Sequence, residues 1–146
     1  MFKGRGAQIK VKNKFLKQEY VTEHIEGLDE PLLENSRTQY IPTFPKTIVN
    51  KVDSPDVGMG YSLNPYQGCE HGCIYCYARN SHEYWGYGAG LDFERVILVK
   101  KNAVQLLEKH LQNPRWNPAP IVLSGNTDCY QPIERKLKIT RSLLEV

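Results

Sequence analysis

The sequence lacks any long hydrophobic run. No apolar stretch approaches the roughly 20 residues that a helix needs to cross a bilayer. The first thirty residues also lack an apolar segment behind a charged start, the pattern that marks secreted chains. We therefore expect a cytoplasmic protein that does not associate with membranes.

A strong net charge is also missing. The formal charge of +3 is small for 146 residues, so charge alone gives no argument for a nucleic-acid partner. The distribution is uneven, because every charged residue before the first acid, Glu19, is basic. This favours a solvated terminus and leaves a basic arm for an acidic partner as the alternative. The basic residues are Lys3, Arg5, Lys10, Lys12, Lys14 and Lys17.

Cysteine is scarce, yet it is concentrated. Three of the four cysteines, Cys69, Cys73 and Cys76, fall within the stretch "CEHGCIYC". Because thiols stay reduced in the cytosol, clustered cysteines there more often hold a metal or do redox chemistry than form disulfides. Neighbouring cysteines would also close only small rings, which constrain the unfolded chain least.

The spacing of these cysteines allows a helix with all three on one buried face. Pro65, Gly68 and Gly72 oppose that interpretation, because proline and glycine are poor helix residues. The glycines instead favour a loop that curls tightly with its amides turned inward.

Two kinds of metal site are compatible with these three cysteines, a zinc ion and an iron-sulfur cluster. Zinc would take the three thiolates with His71 or His82 as the fourth ligand, but structural zinc sites usually bring two separated ligand pairs. The sequence has no second cysteine pair. Three cysteines in one loop match a 4Fe-4S cluster in which three irons take thiolates and the fourth stays open.

The order of elements indicates an α/β fold. The stretches "QIKVKNKF", "KTIVNKV" and "GYSLN" are strand-like, and "FERVILVK" has the signature of a buried strand. The helical "NAVQLLEKHLQ", the strand "APIVL" and the helical "PIERKLKITRSLLEV" follow. This alternation predicts a parallel sheet with ligands beyond the carboxyl ends of its strands, where "NPYQGCEHGCIYC" and "SGNTDCYQP" both fall.

Two strand-helix units cannot cover the faces of a parallel sheet or close a barrel. We therefore expect the sequence to be the amino-terminal part of a longer protein. Residues 1–57 are predicted to form an irregular extension, and residues 58–146 the first portion of the core.

The cysteine motif resembles a known family. "CEHGCIYC" fits the C-x₃-C-x-aromatic-C signature of radical S-adenosylmethionine (radical SAM) enzymes, with Tyr75 at the aromatic position. Together with "SGNTDCYQPIE", it resembles the group related to spore photoproduct lyase, often described as DNA repair photolyase-like, over about residues 50 to 146. The resemblance implies the first strand-helix units of a partial (β/α)₆, TIM-like barrel.

The resemblance also implies a chemistry. Cys69, Cys73 and Cys76 would ligate a 4Fe-4S cluster whose open iron binds S-adenosyl-L-methionine. An electron, from a donor such as flavodoxin or ferredoxin, would cleave that cofactor to a 5′-deoxyadenosyl radical. The radical would then abstract hydrogen from a substrate, with nucleic acid as a candidate. The alternative is a non-catalytic or truncated protein that binds zinc or a 4Fe-4S cluster.

The loop after the second strand would bind the methionine part of S-adenosylmethionine. The family usually has Gly-Gly-Glu there, whereas this sequence has Ser124, Gly125 and Asn126. Asp128, with Thr127 and Gln131, is predicted either to face the same cavity or to cap a helix. For Glu134 we favour a helix-stabilising acid in the first turn.

Further residues near these motifs have open interpretations. Cys129 would return a hydrogen atom to a substrate radical, or it is a small buried residue, which we favour. Six of the nine tyrosines and Trp85 lie between Gly60 and Gly90. With Arg79, these aromatic residues would stack on nucleic-acid bases, or they pack in the core. His71 and His82 would tune the cluster through hydrogen bonds, or they are ordinary polar residues.

Overall fold

A computed structural model describes residues 4–18, 37–54, 56 and 58–146. Lys3 and Glu19, which bound the predicted basic terminus, lie outside these residues. Within the described ranges, the strands are β1 (Gln39–Thr43), β2 (Val49–Lys51), β3 (Tyr61–Leu63), β4 (Tyr66–Gln67), β5 (Val96–Lys100) and β6 (Ile121–Leu123). The helices are a 3₁₀ helix (Tyr77–Trp85), α1 (Leu91–Arg95), α2 (Ala103–Leu111), α3 (Glu134–Leu137) and α4 (Ile139–Leu144).

The first sheet has the strand order β1-β5-β4. β1 runs parallel to β5, and β4 runs antiparallel to it with Tyr66 opposite Val99. The central strand β5 is buried along most of its length, as its apolar run predicts. The sequence analysis included "FER" in this strand. In the structure these residues belong to the helix α1, and the strand begins at Val96.

The second sheet has the order β2-β3-β6. β2 runs antiparallel to β3, whereas β3 and β6 run parallel with Leu63 opposite Leu123. The helix predicted in "NAVQLLEKHLQ" is α2, and it packs on this sheet, since Ala103 and Leu107 lie in one buried cluster with Leu63. The parallel pairing brings the chain that follows β3 and the chain that follows β6 to one edge of the sheet.

The two strands of the predicted strand-helix alternation do not pair with each other. β5 and β6 lie in different sheets, each beside an earlier parallel strand. Both sheets are mixed and small, and the partial barrel stays a prediction. The last predicted helix is also interrupted, because Lys138 adopts a left-handed backbone with φ 53° between α3 and α4.

The amino-terminal half differs from its predicted strands. Residues 8–15 form no strand, and side-chain contacts hold them instead: the amide of Asn13 donates to the carbonyl oxygens of Glu83 and Tyr87 at 2.8 and 2.9 Å. The sequence did not predict β1, because Pro42 argues against a strand. Proline is tolerated there since β1 lies at a sheet edge.

Segments from both predicted regions share the sheets. β1 and β2, which belong to residues 1–57, pair with β5 and β3 respectively. These strand pairs join residues on both sides of the predicted domain boundary at residues 57 and 58, and that boundary stays a prediction. Of the helices that the structure describes, none has the length and apolar character required to cross a membrane.

Candidate functional site at the cysteine loop

Two loops line one cavity. We call residues 68–76, which follow β4, the cysteine loop, and residues 124–131, which follow β6, the serine loop. They meet because β3 and β6 are parallel neighbours and only two residues separate β3 from β4. The cavity has a volume of about 380 Å³. Its lining consists of Cys69, His71, Cys73, Cys76, Tyr77, Ala78, Ser124, Gly125, Asn126, Thr127 and Asp128.

The cysteine loop is not helical. Residues 68–76 form turns and bends, so the alternative of three cysteines on one buried helix face is wrong. Gly68 and Gly72 have φ values of 83° and 64°, which other residues rarely adopt. A Cβ atom at Gly68 would also lie 2.7 Å from the carbonyl oxygen of Val96. The two glycines therefore allow the tight curl that their positions in the sequence predicted.

The three cysteines of the loop differ in exposure. Cys69 is buried, Cys76 is half-buried and Cys73 is exposed, and all three are free thiols. Burial raises the pKa of the Cys69 thiol above its ordinary value, although nearby backbone amides oppose the shift. Cys69 thus presents a neutral thiol that a bound metal would have to deprotonate.

The two kinds of metal site place different demands on the thiols. In the described part of the chain, no three His, Cys, Asp or Glu side chains are grouped so that they could hold one metal ion. A zinc site needs four ligands around one point, with sulfur at about 2.3 Å and histidine nitrogen at about 2.0–2.1 Å. A 4Fe-4S cube instead binds each thiolate through a different iron.

The two histidines that the sequence offers as a fourth zinc ligand lie in different places. His71 lines the cavity, but its Nε2 atom lies 3.2 Å from the Asp128 carboxylate. His82 is fully buried outside the cavity lining, where it stacks on Tyr87 and contacts the edge of Phe93. Burial lowers the pKa of His82 to about 4, so its imidazole is neutral near pH 7.

The serine loop is held by hydrogen bonds between side chains and the backbone. The Ser124 hydroxyl accepts from the amide of Cys129 at 2.7 Å, and Asn126 donates its amide to Oδ1 of Asn64 at 2.8 Å. The Thr127 hydroxyl donates to the carbonyl oxygen of Tyr66 at 3.1 Å. Ser124 itself has a φ of 77°, an uncommon backbone conformation for a residue other than glycine.

Asp128 lies in a turn rather than at a helix start. Its Oδ1 atom accepts from the amide of Tyr130 at 2.7 Å, while its Oδ2 atom faces His71. Because Asp128 is also in the cavity lining, the structure places it where the functional interpretation expected it. The predicted residues Ser124, Gly125, Asn126 and Thr127 lie beside it.

Three predicted site residues lie outside the cavity lining. Tyr75 is 86% exposed. Cys129 is buried, and its carbonyl oxygen accepts from the Thr140 hydroxyl at 2.8 Å, which fits the alternative of a small buried residue. Gln131 is fully buried and links the two loops, because its Nε2 donates to Gly68 and its Oε1 accepts from the amide of Glu70, each at 3.3 Å.

Glu134 has a larger role than a helix-stabilising acid. It does lie in the first turn of α3, but its side chain is buried. One carboxylate oxygen accepts from the Tyr66 hydroxyl, and the other accepts from the amide of Arg141 at 3.2 Å. Burial and this carboxylate raise the pKa of Tyr66 above its ordinary value.

The sequence did not predict how three further residues shape the site. The Tyr77 hydroxyl donates to the carbonyl oxygen of Gly125 and so joins the two loops across the cavity. Arg79 and Glu94 form an ion pair at 2.7 Å behind the cysteine loop. Tyr77 and Arg79 stand within the motif that continues to "CYAR", whereas Glu94 lies in a stretch that was interpreted as a strand.

The guanidinium group of Arg79 is engaged in the ion pair with Glu94. Its side chain is only 13% exposed, so the predicted contribution of Arg79 to a nucleic-acid surface is wrong. Burial opposes ionisation of Glu94, but hydrogen bonds from the Ala7 amide, from Arg79 and from other amides outweigh it. They hold the pKa of the Glu94 carboxyl below its ordinary value.

The chain is similar to proteins from bacteria and archaea. An uncharacterized protein of Mycobacterium tuberculosis is 35% identical over 100 residues, which make up 68% of this chain and 29% of that protein. An uncharacterized protein of Methanocaldococcus jannaschii is 33% identical over 112 residues, or 76% of this chain and 39% of that protein. The chain thus spans about 29–39% of the length of these relatives. No protein-family model matches it, and no solved structure is significantly similar.

Proposed function

We propose that this chain carries the cluster-binding part of a radical SAM enzyme. Cys69, Cys73 and Cys76 are the ligands of a 4Fe-4S cluster in this proposal, and the serine loop contacts S-adenosylmethionine. The observation that carries it is the shared cavity, because three thiols of one loop line the same space as the loop that follows a parallel neighbouring strand.

The chemistry of the cavity supports this assignment. When bound, the cluster would supply the electron that cleaves S-adenosylmethionine, and the cofactors would provide the reactivity. The residues of this chain bind and orient them. Asp128 offers a carboxylate oxygen beside the thiols, and Ser124 fixes the turn that brings Gly125 and Asn126 to the cavity. Tyr75 is no longer assigned a cofactor contact, because it lies outside the lining.

Anaerobic reconstitution with iron and sulfide tests the cluster. We expect about four irons and about four sulfides per chain. Changing Cys69, Cys73 or Cys76 to alanine should abolish this content, because each thiolate binds a different iron. Cys129→Ala is the matched control, since Cys129 lies outside the cavity, and it should retain the full content. Stoichiometric zinc without iron would contradict the proposal.

Cofactor cleavage separates the enzyme from a non-catalytic metal-binding protein. We expect the reduced, reconstituted protein to convert S-adenosylmethionine to 5′-deoxyadenosine, with an electron donor of the flavodoxin or ferredoxin type. A protein that holds the full cluster and releases no 5′-deoxyadenosine would favour the non-catalytic alternative.

A nucleic-acid substrate is the narrower proposal. Its support is two exposed aromatic residues, Tyr77 in the cavity lining and Tyr75 two residues before it, because aromatic rings stack on bases. The described lysines at positions 10 and 17 are exposed and add positive charge to the amino-terminal segment. Binding to single-stranded DNA should weaken steeply as salt is raised, and a flat response would count against this substrate.

A further inference from the structure

Glu94 receives an unusual set of donors. Its side chain is fully buried, and three consecutive backbone amides near the amino terminus donate to its carboxylate. The amides of Arg5 and Ala7 each lie 2.5 Å from one oxygen, and the amide of Gly6 lies 3.2 Å from both. Consecutive amides of this kind form a concave anion site, which here is filled by a side chain of the same protein.

The same carboxylate is connected to the cysteine loop. Arg79 donates to Glu94 at 2.7 Å, and the same guanidinium donates to the carbonyl oxygens of Gly72 and Cys73 at 2.9 and 3.1 Å. These two carbonyls belong to the turn that presents the Cys73 thiol. Glu94 therefore connects the amino-terminal segment, through one arginine, to the backbone of the loop that bears the thiols.

Close packing supports the same connection. A Cβ atom at Gly6 would lie 1.9 Å from the carbonyl oxygen of Gly72, so residue 6 touches the loop backbone directly. On the other side of Gly6, the Arg5 guanidinium donates to the carbonyl oxygen of Glu94 at 2.9 Å and to the Glu70 carboxylate at 3.4 Å. The segment thus contacts the cysteine loop at both Glu70 and Gly72.

We propose that Glu94 and Arg79 are positioning residues for the cysteine loop, and that residues 5–7 complete the arrangement. In this view the amino-terminal segment is part of the site. The inference rests on the proposed function only where it assumes that the thiols bind a cluster. The arrangement of the cysteine loop itself is that of the protein without a cofactor. Arg79 supplies a planar fork that binds two carbonyls and a carboxylate at once, which a lysine cannot reproduce.

Thiol reactivity in the metal-free protein tests the inference. Glu94→Gln removes the charge that holds the three amides and Arg79 together. We expect alkylation of Cys69 by iodoacetamide to accelerate by at least about tenfold, because the loop then opens more readily. Glu108→Gln, on the exposed face of α2, is the matched control and should leave the rate unchanged. Equal rates in the wild type and Glu94→Gln would overturn the proposal.

Cys129 serves as an internal reference in the same experiment. Cys129 is buried and belongs to the serine loop. Its backbone hydrogen bonds are to Ser124 and Thr140, so they do not involve Arg79 or Glu94. Positioning predicts faster alkylation of Cys69 with Cys129 unchanged, read by mass spectrometry of each peptide. If both thiols accelerate together, Glu94 acts only on global stability, and the positioning role is wrong.

Two milder variants keep the test valid if Glu94→Gln folds poorly. Arg79→Lys retains the charge and loses the fork, and Gly6→Val pushes residue 6 away from Gly72. Both should accelerate Cys69 alkylation. Gly60→Val is the control for the second variant, since a side chain at Gly60 meets open space. Unchanged rates in both would overturn the proposal.

The outcomes separate this inference from the proposed function. If the wild-type protein takes up no iron, the proposed function fails, and the alkylation rates still decide the positioning role. If the wild-type protein takes up iron and the Glu94→Gln and wild-type thiols react alike, the positioning role fails alone. If both hold, reconstituted Glu94→Gln should show an altered electron paramagnetic resonance signal, because its loop geometry differs.

Discussion

The two loops that line the cavity are held in different ways. The cysteine loop depends on a buried ion pair, Arg79 with Glu94, which lies behind it and binds its carbonyls. The serine loop depends on neutral hydrogen bonds, such as those of Ser124 and Thr127 to nearby backbone. A buried charge left without its partner costs several times more than a lost neutral hydrogen bond. The cysteine loop should therefore be the more sensitive of the two to a single substitution.

Gln131 is expected to be an exception to this difference between charged and neutral support. It belongs to the serine loop and is neutral, yet its side chain holds the cysteine loop at both Gly68 and Glu70. Gln131→Leu keeps a similar volume and leaves a buried carbonyl and a buried amide without partners. At about 1–3 kcal/mol for each unsatisfied group, the free energy of unfolding should fall by roughly 4 kcal/mol.

Urea denaturation measures this effect. Gln105→Leu is the matched control, because Gln105 is exposed on α2 and its replacement should change the free energy of unfolding by less than about 0.5 kcal/mol. A loss below about 1 kcal/mol for Gln131→Leu would mean that the two loops are supported independently.

Lys100 adds one charged group to the neutral hydrogen bonds that support the serine loop. Its ammonium group donates to the carbonyl oxygen of Asn64 at 2.7 Å, and the side chain of Asn64 accepts from the serine loop at Asn126. Burial lowers the pKa of Lys100 from its ordinary value of 10.5 to about 8. Between these values the unfolded chain binds a proton that the folded protein does not, so stability should rise with pH.

The variant Lys100→Met should remove this rise. We expect the difference in the free energy of unfolding between wild type and variant to change by roughly 2–3 kcal/mol from pH 7.5 to pH 10.5, since one pKa unit corresponds to about 1.4 kcal/mol. Denaturation curves at several pH values measure it, and the variant serves as the reference for other groups that titrate. Parallel pH profiles would show that Lys100 titrates alike in the folded and the unfolded protein, which contradicts the lowered pKa.

The pair of His71 and Asp128 should have the smallest effect. Both side chains are nearly half exposed, in contrast to Arg79 and Glu94. Asp128→Asn keeps the oxygen that accepts from Tyr130 and removes only the charge. We expect the free energy of unfolding to change by less than about 0.5 kcal/mol, as is usual for exposed pairs. A loss above about 1 kcal/mol in urea denaturation would place this pair among the supports of the cavity.

The parts that the sequence predicted depend on local chemistry. Gly68 and Gly72 predicted the turn because left-handed backbone is a property of single residues. The apolar run of β5 and the helical periodicity of α2 likewise lie within short windows. The strand at Pro42 was missed because its edge position depends on the pairing of distant strands.

The site was predictable only in part for the same reason. Spacing identified Cys69, Cys73 and Cys76, and all three line the cavity. Glu94 was not identified, since its role depends on amides 87 to 89 residues away in the sequence. Tyr75 and Tyr77 are two residues apart, and only the path of the loop decides that Tyr77 lines the cavity.

The contact of Gly6 with Gly72 has a consequence for how mutations at the two positions combine. A side chain at Gly6 would collide with the carbonyl oxygen of Gly72, and a side chain at Gly72 would collide with the Cβ atom of Arg5 and approach the Glu94 carboxylate. Both substitutions should therefore disturb the same contact, that of residues 5–7 with the cysteine loop, although the two glycines lie far apart in the chain. Once a bulky residue at Gly6 has moved residues 5–7 away from the loop, a side chain at Gly72 should keep only the cost of its φ of 64° and lose part of its steric cost, so the double substitution should cost less than the sum of the two.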